Sequence, residues 1–250
     1  MAITSPHNPQ LVEVRKLAGR RWREKLGAFV AEGEDLLAAA DAAGWAPAGR
    51  YVAAGSGLEG VEVAAPLLAA VSQLGSGTRA LAVYPQRWAA APAGPLCLAL
   101  WGVGDPGNVG GALRSALAFG AASVALGPGS ADPYGPKAVR ASMGALFSVP
   151  LARVRDPSEL PGRRIALVAR AGVPLSELGP GAATLVVGAE REGLPDAVVA
   201  QCDEVAHIPI RSESLNAAMA ATVALYERTR VPARDAPRDP RRSRARMTGP

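Results

Sequence analysis

Asp105-Pro106-Gly107-Asn108-Val109-Gly110-Gly111-Ala112-Leu113-Arg114 is the stretch on which the reading of the whole chain turns. It follows the apolar run Leu96 to Val103 and leads into Ser115-Ala116-Leu117-Ala118-Phe119-Gly120. A short apolar run bounded by turn residues predicts a strand, and Asp-Pro-Gly-Asn predicts a tight loop. The pattern from Val109 to Phe119 predicts a helix capped by Asn108 and stopped by Gly120. A polar loop at the carboxyl end of a buried strand is where an open α/β sheet places its chemistry. Arg114 falls in the second turn of the expected helix, where its long side chain can share a site with Asn108.

Downstream of this stretch, strand and helix patterns alternate. Strands are expected at Ser123 to Leu126, Val149 to Val154, Arg164 to Ala169, Ala183 to Gly188 and Glu204 to Ile208. Helices are expected at Pro136 to Leu146, Pro195 to Ala200 and Ser214 to Arg228. Such alternation predicts an α/β fold with a mostly parallel sheet and helices on both faces.

Upstream, Gln10 to Leu26 reads as one basic amphipathic helix, with Leu11, Val14, Leu17 and Trp22 on its apolar side. Arg15, Lys16, Arg20, Arg21, Arg23 and Lys25 surround them, as a solvated face or an RNA-facing surface would require. Strands at Ala28 to Ala31, Arg50 to Ala54, Val61 to Ala64 and Arg79 to Tyr84 complete a small α/β unit with helices at Glu34 to Ala43 and Pro66 to Leu74. The small residues and two prolines of 86–95 read as a linker. The expected organisation is therefore a front domain over 1–85, a linker over 86–95 and a larger domain over 96–229.

The net charge of +5 is carried by the carboxyl end, where seven arginines stand against two aspartates between Arg230 and Pro250. That Pro- and Arg-rich stretch lacks the apolar residues to fold alone and reads as a disordered basic tail, either solvated or in contact with nucleic acid. Cys97 and Cys202 show no ligand spacing and are expected as reduced thiols, which favours an intracellular compartment. No apolar run approaches the roughly 18 residues of a membrane span, and the amino terminus shows no signal-peptide core. The chain is expected in the cytoplasm, without a metal or a membrane partner.

Gly102-Val103-Gly104-Asp105-Pro106-Gly107 matches the dinucleotide-binding pattern G-x-G-x-x-G. The pattern fails in context: Pro106-Gly107-Asn108 keeps the chain in a turn, and the next strand ends at Gly127-Pro128-Gly129 with no acid for ribose hydroxyls. Nucleophilic triads are excluded because neither His7 nor His207 lies near a Ser- or Cys-containing elbow.

Three segments share one grammar, a strand ending in a polar loop that opens a helix. They are Asn108 to Arg114, then Leu185-Val186-Val187-Gly188-Ala189-Glu190-Arg191-Glu192-Gly193-Leu194-Pro195, then Ile208-Pro209-Ile210-Arg211-Ser212-Glu213-Ser214-Leu215-Asn216-Ala217-Ala218-Met219-Ala220. Gly188 and Gly193 present no side chain and let a ligand approach the main chain; Ser214 reads as a helix cap. Each residue has a bland reading on its own. Together they resemble the signature of the SpoU-type (TrmH-like) RNA ribose 2′-O-methyltransferases of the SPOUT class. Asn108, Gly110 and Arg114 fit Asn-x-Gly-x-x-x-Arg. Gly188, Glu190 and Gly193 fit Gly-x-Glu-x-x-Gly, and Ile208-Pro209-Ile210 precedes Ser214-Leu215-Asn216. Lys137 to Phe147 resembles the family's middle helix.

This resemblance covers about residues 96 to 228. The front unit is similar, more loosely, to an L30e-like RNA-substrate-binding domain, chiefly through Phe29-Val30-Ala31-Glu32-Gly33. The resemblance implies a carboxyl-terminal trefoil knot, S-adenosyl-L-methionine as cofactor, a homodimer, and structured RNA as partner, ribosomal RNA before transfer RNA. By the same resemblance Arg114 holds the target phosphate and helps deprotonate the 2′-hydroxyl, while Asn108, Glu190, Ser214 and Asn216 complete the catalytic set. Main-chain groups at Gly188, Ile208 and Leu215 hold the adenosyl group. One departure stands out: Arg211-Ser212-Glu213 is shorter than the family's loop and has no glycine. An RNA-binding module without catalysis is the alternative that this departure raises.

Overall fold

The computed structural model describes residues 2–74 and 77–230. The expected basic tail lies outside them except for Arg230.

The chain begins with α1 (Pro9–Leu17) and α2 (Arg20–Leu26), two helices where the sequence pattern predicts one. Asn8 caps α1 through its side chain and Pro9 opens it, a position where the missing N–H costs nothing. Gly19 is extended and interrupts the run, and Gly27 closes α2 in the left-handed conformation. The break separates the apolar positions. Leu11, Val14 and Leu17 are buried, whereas Trp22 is only half-buried, with the Lys16 and Lys25 ammonium groups 4.7 and 5.0 Å from its ring. It also turns Arg23 inward.

Next come β1 (Ala28–Glu32), α3 (Glu34–Ala42), β2 (Gly49–Ala53), β3 (Val61–Val63), α4 (Ala65–Val71) and β4 (Ala80–Pro85). The four strands form one mixed sheet in the order β1-β4-β2-β3. Side chains alternate across it, as the period of two demands. Val30, Leu81 and Val83 pack with α1 and α4 in one core. Phe29, Ala31, Ala82 and Tyr84 face the other way and join a core shared with the second half of the chain.

The second half contains β5 (Leu96–Leu100), α5 (Pro106–Ala118), β6 (Ser123–Leu126), α6 (Pro136–Ala141), β7 (Leu151–Arg153), β8 (Arg163–Leu167), β9 (Val173–Pro174), β10 (Ala183–Val187), α7 (Asp196–Val199), β11 (Glu204–His207) and α8 (Ala217–Thr229). The strands make a seven-stranded sheet, β7-β6-β5-β10-β8-β11-β9, parallel at every pairing. The expected mostly parallel sheet is thus wholly parallel in this half. The short β9 was not legible in the sequence. The expected helix Pro136 to Leu146 stops at Ala141, because Met143 (φ 48) and Gly144 (φ 88) adopt left-handed backbone.

The helices divide unequally between the faces. Leu98, Leu100, Leu185 and Val187 meet α5, α6 and α8. Cys97, Ala99 and Val186 meet Trp101, Leu160 and the four-residue α7 on the other face.

Phe29, Trp45 and Tyr84 of the first half pack against Phe147 of the second, with ring centroids 5.2–6.0 Å apart. Trp45 Nε1 donates to the Phe147 carbonyl at 2.8 Å. Arg23, only 5% exposed, donates from Nε to Asp132 at 2.8 Å and from Nη1 to the carbonyls of Leu17 and Ala18. A charge so buried persists only with partners of this kind. Residues 86–95 also pack: Trp88 stands edge-on to Tyr134 at 5.2 Å, and Ala89 donates to the Leu151 carbonyl.

Candidate functional site

Because every strand of the large sheet is parallel, the strands' carboxyl ends and the loops leaving them lie along one edge. The loops after β5, β10 and β11 meet there. Asp105, not Asn108, is the N-cap of α5: its carboxylate accepts from the Asn108 amide at 3.0 Å. The helix therefore starts three residues earlier than its sequence pattern suggests, and Pro106 occupies its first turn. Lys137 of α6 reaches the same carboxylate at 2.6 Å and, with the amide of Asn108, holds Asp105 below the usual carboxylate range.

Freed from capping, the Asn108 side chain reaches across the sheet edge. Its Nδ2 donates to Glu190 Oε1, and its Oδ1 accepts from Asn216 Nδ2 at 2.9 Å. Asn216 is the N-cap of α8, where its Oδ1 accepts from the amides of Ala218 and Met219. This corrects the expectation for Ser214, which is exposed two residues before the cap and receives a hydrogen bond at its carbonyl from the Ser212 hydroxyl. Asn108, Glu190 and Asn216 thus form a bridge joining all three loops.

Beside this bridge lies a cleft of about 420 Å³. Leu167, Val187, Leu194 and Ala217 form apolar walls, and Gly188, Glu190, Ile208, Ser214 and Leu215 line it as well. The size and the evenly mixed polar and apolar lining suit a small ligand. Among the described residues, the amides of Gly188, Ile208 and Leu215 donate to no protein acceptor. These unpartnered main-chain donors border the cleft, and that of the buried Gly188 in particular calls for a partner. Gly188 also has a packing role. A Cβ there would lie 2.3 Å from the Gly193 carbonyl carbon, so the glycine lets the loop fold back on itself, with Ala189 and Gly193 exchanging backbone hydrogen bonds.

Arg114 stands apart. It lies six residues beyond Asn108, about 9 Å along the axis and a third of a turn round, in the third turn of α5 rather than the second. It is exposed and has no hydrogen bond or ion pair among the described residues. Gly110 on one side of it packs on α6, where a Cβ would come within 2.4 Å of the Ala138 carbonyl oxygen. On its other side Gly111 packs against Ala218, and Ser115 shares a 2.6 Å hydrogen bond with Thr222 of α8. Arg114 therefore projects between α6 and α8, outside the cleft.

Among the described residues, no group of three His, Cys, Asp or Glu side chains is placed to hold a metal ion. No helix there is long and apolar enough to cross a membrane.

The parallel sheet, the strand-end cleft and the bridged loops define an α/β ligand-binding protein with its site at the carboxyl edge. The sequence model of the SpoU rRNA Methylase family matches residues 95–226, and the chain belongs to that family. It is 39% identical over 146 residues to a 23S rRNA (uridine(2479)-2′-O)-methyltransferase of Streptomyces viridochromogenes, covering 50% of this chain and 49% of the relative. It is 35% identical over 133 residues to a 23S rRNA (guanosine(2553)-2′-O)-methyltransferase of Bacillus subtilis, covering 50% and 54%. The chain thus matches about half the length of these curated relatives. Among solved structures it resembles an AdoMet-bound rRNA methyltransferase from Sinorhizobium meliloti, with a TM-score of 0.81, 26% identity and coverage of 91% and 96%. It also resembles the SpoU methyltransferase AviRb of S. viridochromogenes in complex with AdoMet, with a TM-score of 0.79, 26% identity and coverage of 89% and 97%.

Proposed function

We propose that this chain is an S-adenosylmethionine-dependent RNA ribose 2′-O-methyltransferase, acting on ribosomal RNA in preference to transfer RNA. The observation that carries the reading is the Asn216–Asn108–Glu190 bridge at the mouth of a cleft with unpartnered main-chain amides. Gly188, Ile208 and Leu215 hold the adenosyl group through the main chain, against the apolar walls. A bound S-adenosylmethionine supplies an electrophilic methyl group, so the protein has to supply alignment and a more nucleophilic oxygen. Asn108, Glu190, Ser214 and Asn216 order the ribose at the rim. Arg114 holds the target phosphate in its planar fork and stabilises the 2′-oxygen as its proton leaves.

The same reading extends to the architecture. Residues 1–85 act as an L30e-like RNA-binding module, 86–95 as the connection and 96–229 as the methyltransferase module, with a trefoil knot in its carboxyl-terminal part. The protein works in the cytoplasm as a homodimer. Support for the dimer comes from α8, where Met219, Val223 and Tyr226 are 62, 39 and 54% exposed on one face. Burying such a stripe against a second copy removes apolar surface from water. It also sets Arg114 beside the interface.

The short Arg211-Ser212-Glu213 loop leaves the cleft intact, which favours catalysis over a purely RNA-binding role. Incubation with methyl-tritiated S-adenosylmethionine and ribosomal RNA tests the reading. Label should appear in alkali-resistant dinucleotides, because a 2′-O-methyl group blocks cleavage of the adjoining phosphodiester. Label confined to alkali-labile mononucleotides, or none at all, would overturn it.

A further inference from the structure

A second groove opens along the same sheet edge, at the carboxyl ends of β6 and β7. It measures about 230 Å³, and Arg20, Trp88, Gly129, Asp132, Arg153 and Arg155 are among the residues lining it. Arg20 comes from the front module, Trp88 from the connecting segment and the rest from the methyltransferase module. The three therefore meet only in the folded chain. The Arg153 guanidinium lies 4.1 Å from the centroid of the Trp88 ring, which is itself set against Tyr134.

The charge balance of the groove is positive. Asp132 is engaged by Arg23, and Glu24 by Arg20 at 2.9 Å. Glu159 accepts from the amides of Arg155 and Asp156 and not from an arginine side chain. The Arg153 and Arg155 side chains are exposed and have no carboxylate partner among the described residues. The floor brings the groove close to the main site: a Cβ on Gly127 would strike the Trp101 ring at 2.4 Å, and one on Gly129 would lie 3.2 Å from Gly102 Cα. Trp101 and Gly102 begin the loop that leads to Asn108. By the spacing of neighbouring strands the groove lies about 15 Å from the cleft along the sheet edge.

We infer that this groove binds an unpaired nucleotide of the RNA flanking the methylated position, an inference that rests on the function proposed above. Arg155, free of any carboxylate among the described residues, takes a phosphate, and the base stacks on the outer face of the Arg153 guanidinium, which Trp88 holds in place. Guanidinium planes stack splayed bases in single-stranded RNA, and the sequence separation of Arg20, Trp88 and Arg153 explains why no local motif reveals the site.

The test uses the full chain and a fluorescein-labelled oligouridylate, with affinity read by anisotropy across a salt series. Arg153→Ala/Arg155→Ala should bind about tenfold or more weakly, the scale of one lost base stack, and its salt slope should fall by about 0.7 per lost phosphate contact. Arg153→Lys should keep the wild-type salt slope yet bind normal and abasic oligonucleotides equally, whereas wild type prefers the normal one. Unchanged affinity and slope in the double variant, or an undiminished base preference in Arg153→Lys, would overturn the inference. Calorimetry with S-adenosylmethionine separates the two readings. If wild type binds the cofactor and methylates RNA but the variants bind RNA normally, the groove assignment fails alone. If wild type neither binds the cofactor nor methylates RNA, the proposed function fails, whatever the groove does.

Discussion

Asn216 Nδ2 donates to Asn108 Oδ1 at 2.9 Å, tying the amino-terminal turn of α8 to that of α5 over a sequence separation of 108 residues. Since Asn216 also caps α8, one side chain serves both the helix and the site. The two roles are separable. Asn216→Asp retains a capping oxygen but loses the donor and sets a carboxylate beside Asn108 and Glu190. Asn216→Ala loses both and should cost about 1 kcal/mol of stability from the cap alone. We expect Asp to melt near wild type with methyl transfer impaired, and Ala to be lower in both. A fully active Asp variant would show the bridge to be dispensable.

Arg114→Ala should melt and bind S-adenosylmethionine as wild type does, because the side chain is exposed and makes no hydrogen bond or ion pair among the described residues. Turnover on RNA should fall by about 10²–10³-fold, the usual cost of one charge-stabilising donor. Retained turnover would remove Arg114 from the mechanism.

Gly110→Ala tests packing rather than chemistry. Its Cβ would sit 2.4 Å from the Ala138 carbonyl oxygen and 2.6 Å from the Ala141 Cβ. Neither atom is the end of a flexible side chain, so α5 and α6 must part. Overpacking of this kind costs about 1–3 kcal/mol, measurable as a lower urea midpoint with an unchanged slope. A wild-type midpoint would mean that the helices separate freely.

The apolar stripe of α8 predicts assembly. Val223→Asp puts a charge at its centre and should convert a dimer into a monomer in light scattering after size exclusion, with the circular dichroism unaltered. A dimer that survives this change uses another surface.

Acid sensitivity has an identifiable contributor in Asp203. Side-chain hydrogen bonds from Arg164 at 2.9 and 3.0 Å and its amide at 2.7 Å hold the Asp203 carboxyl down to about 2. The folded value lies below the unfolded one of about 3.9, so the stabilisation is complete above that pH and is lost as pH falls from about 4 to about 2. The pair is partly exposed, which limits its worth to under about 1 kcal/mol. Asp203→Asn should be the less stable above pH 4 by that amount, and the gap should close toward pH 2. A gap independent of pH would rule out ionisation as its source.

Local signals in the sequence were enough for every strand of the large sheet but the two-residue β9, for the sheet's parallel character and for the three loops. They suffice because a buried parallel strand must be apolar throughout, and its exit must turn. The same local rules misplaced both caps, giving α5 to Asn108 and α8 to Ser214, when Asp105 and Asn216 hold them. Several polar residues stood near each helix start, and local propensity does not choose among them. They also merged α1 with α2, because the spacing of Leu11, Val14 and Leu17 continues through Gly19 to Trp22 without revealing that Arg23 must turn inward to Asp132.

By itself, then, the sequence determined which strands are buried and where polar loops leave them, since composition, period and turn chemistry are local. Tertiary structure alone decided which partners those residues meet. Asn108 reaches Glu190 and Asn216 because parallel pairing gathers at one edge loops that lie tens of residues apart in the chain, and Arg20 joins Trp88 and Arg153 because the first half of the chain packs on the second.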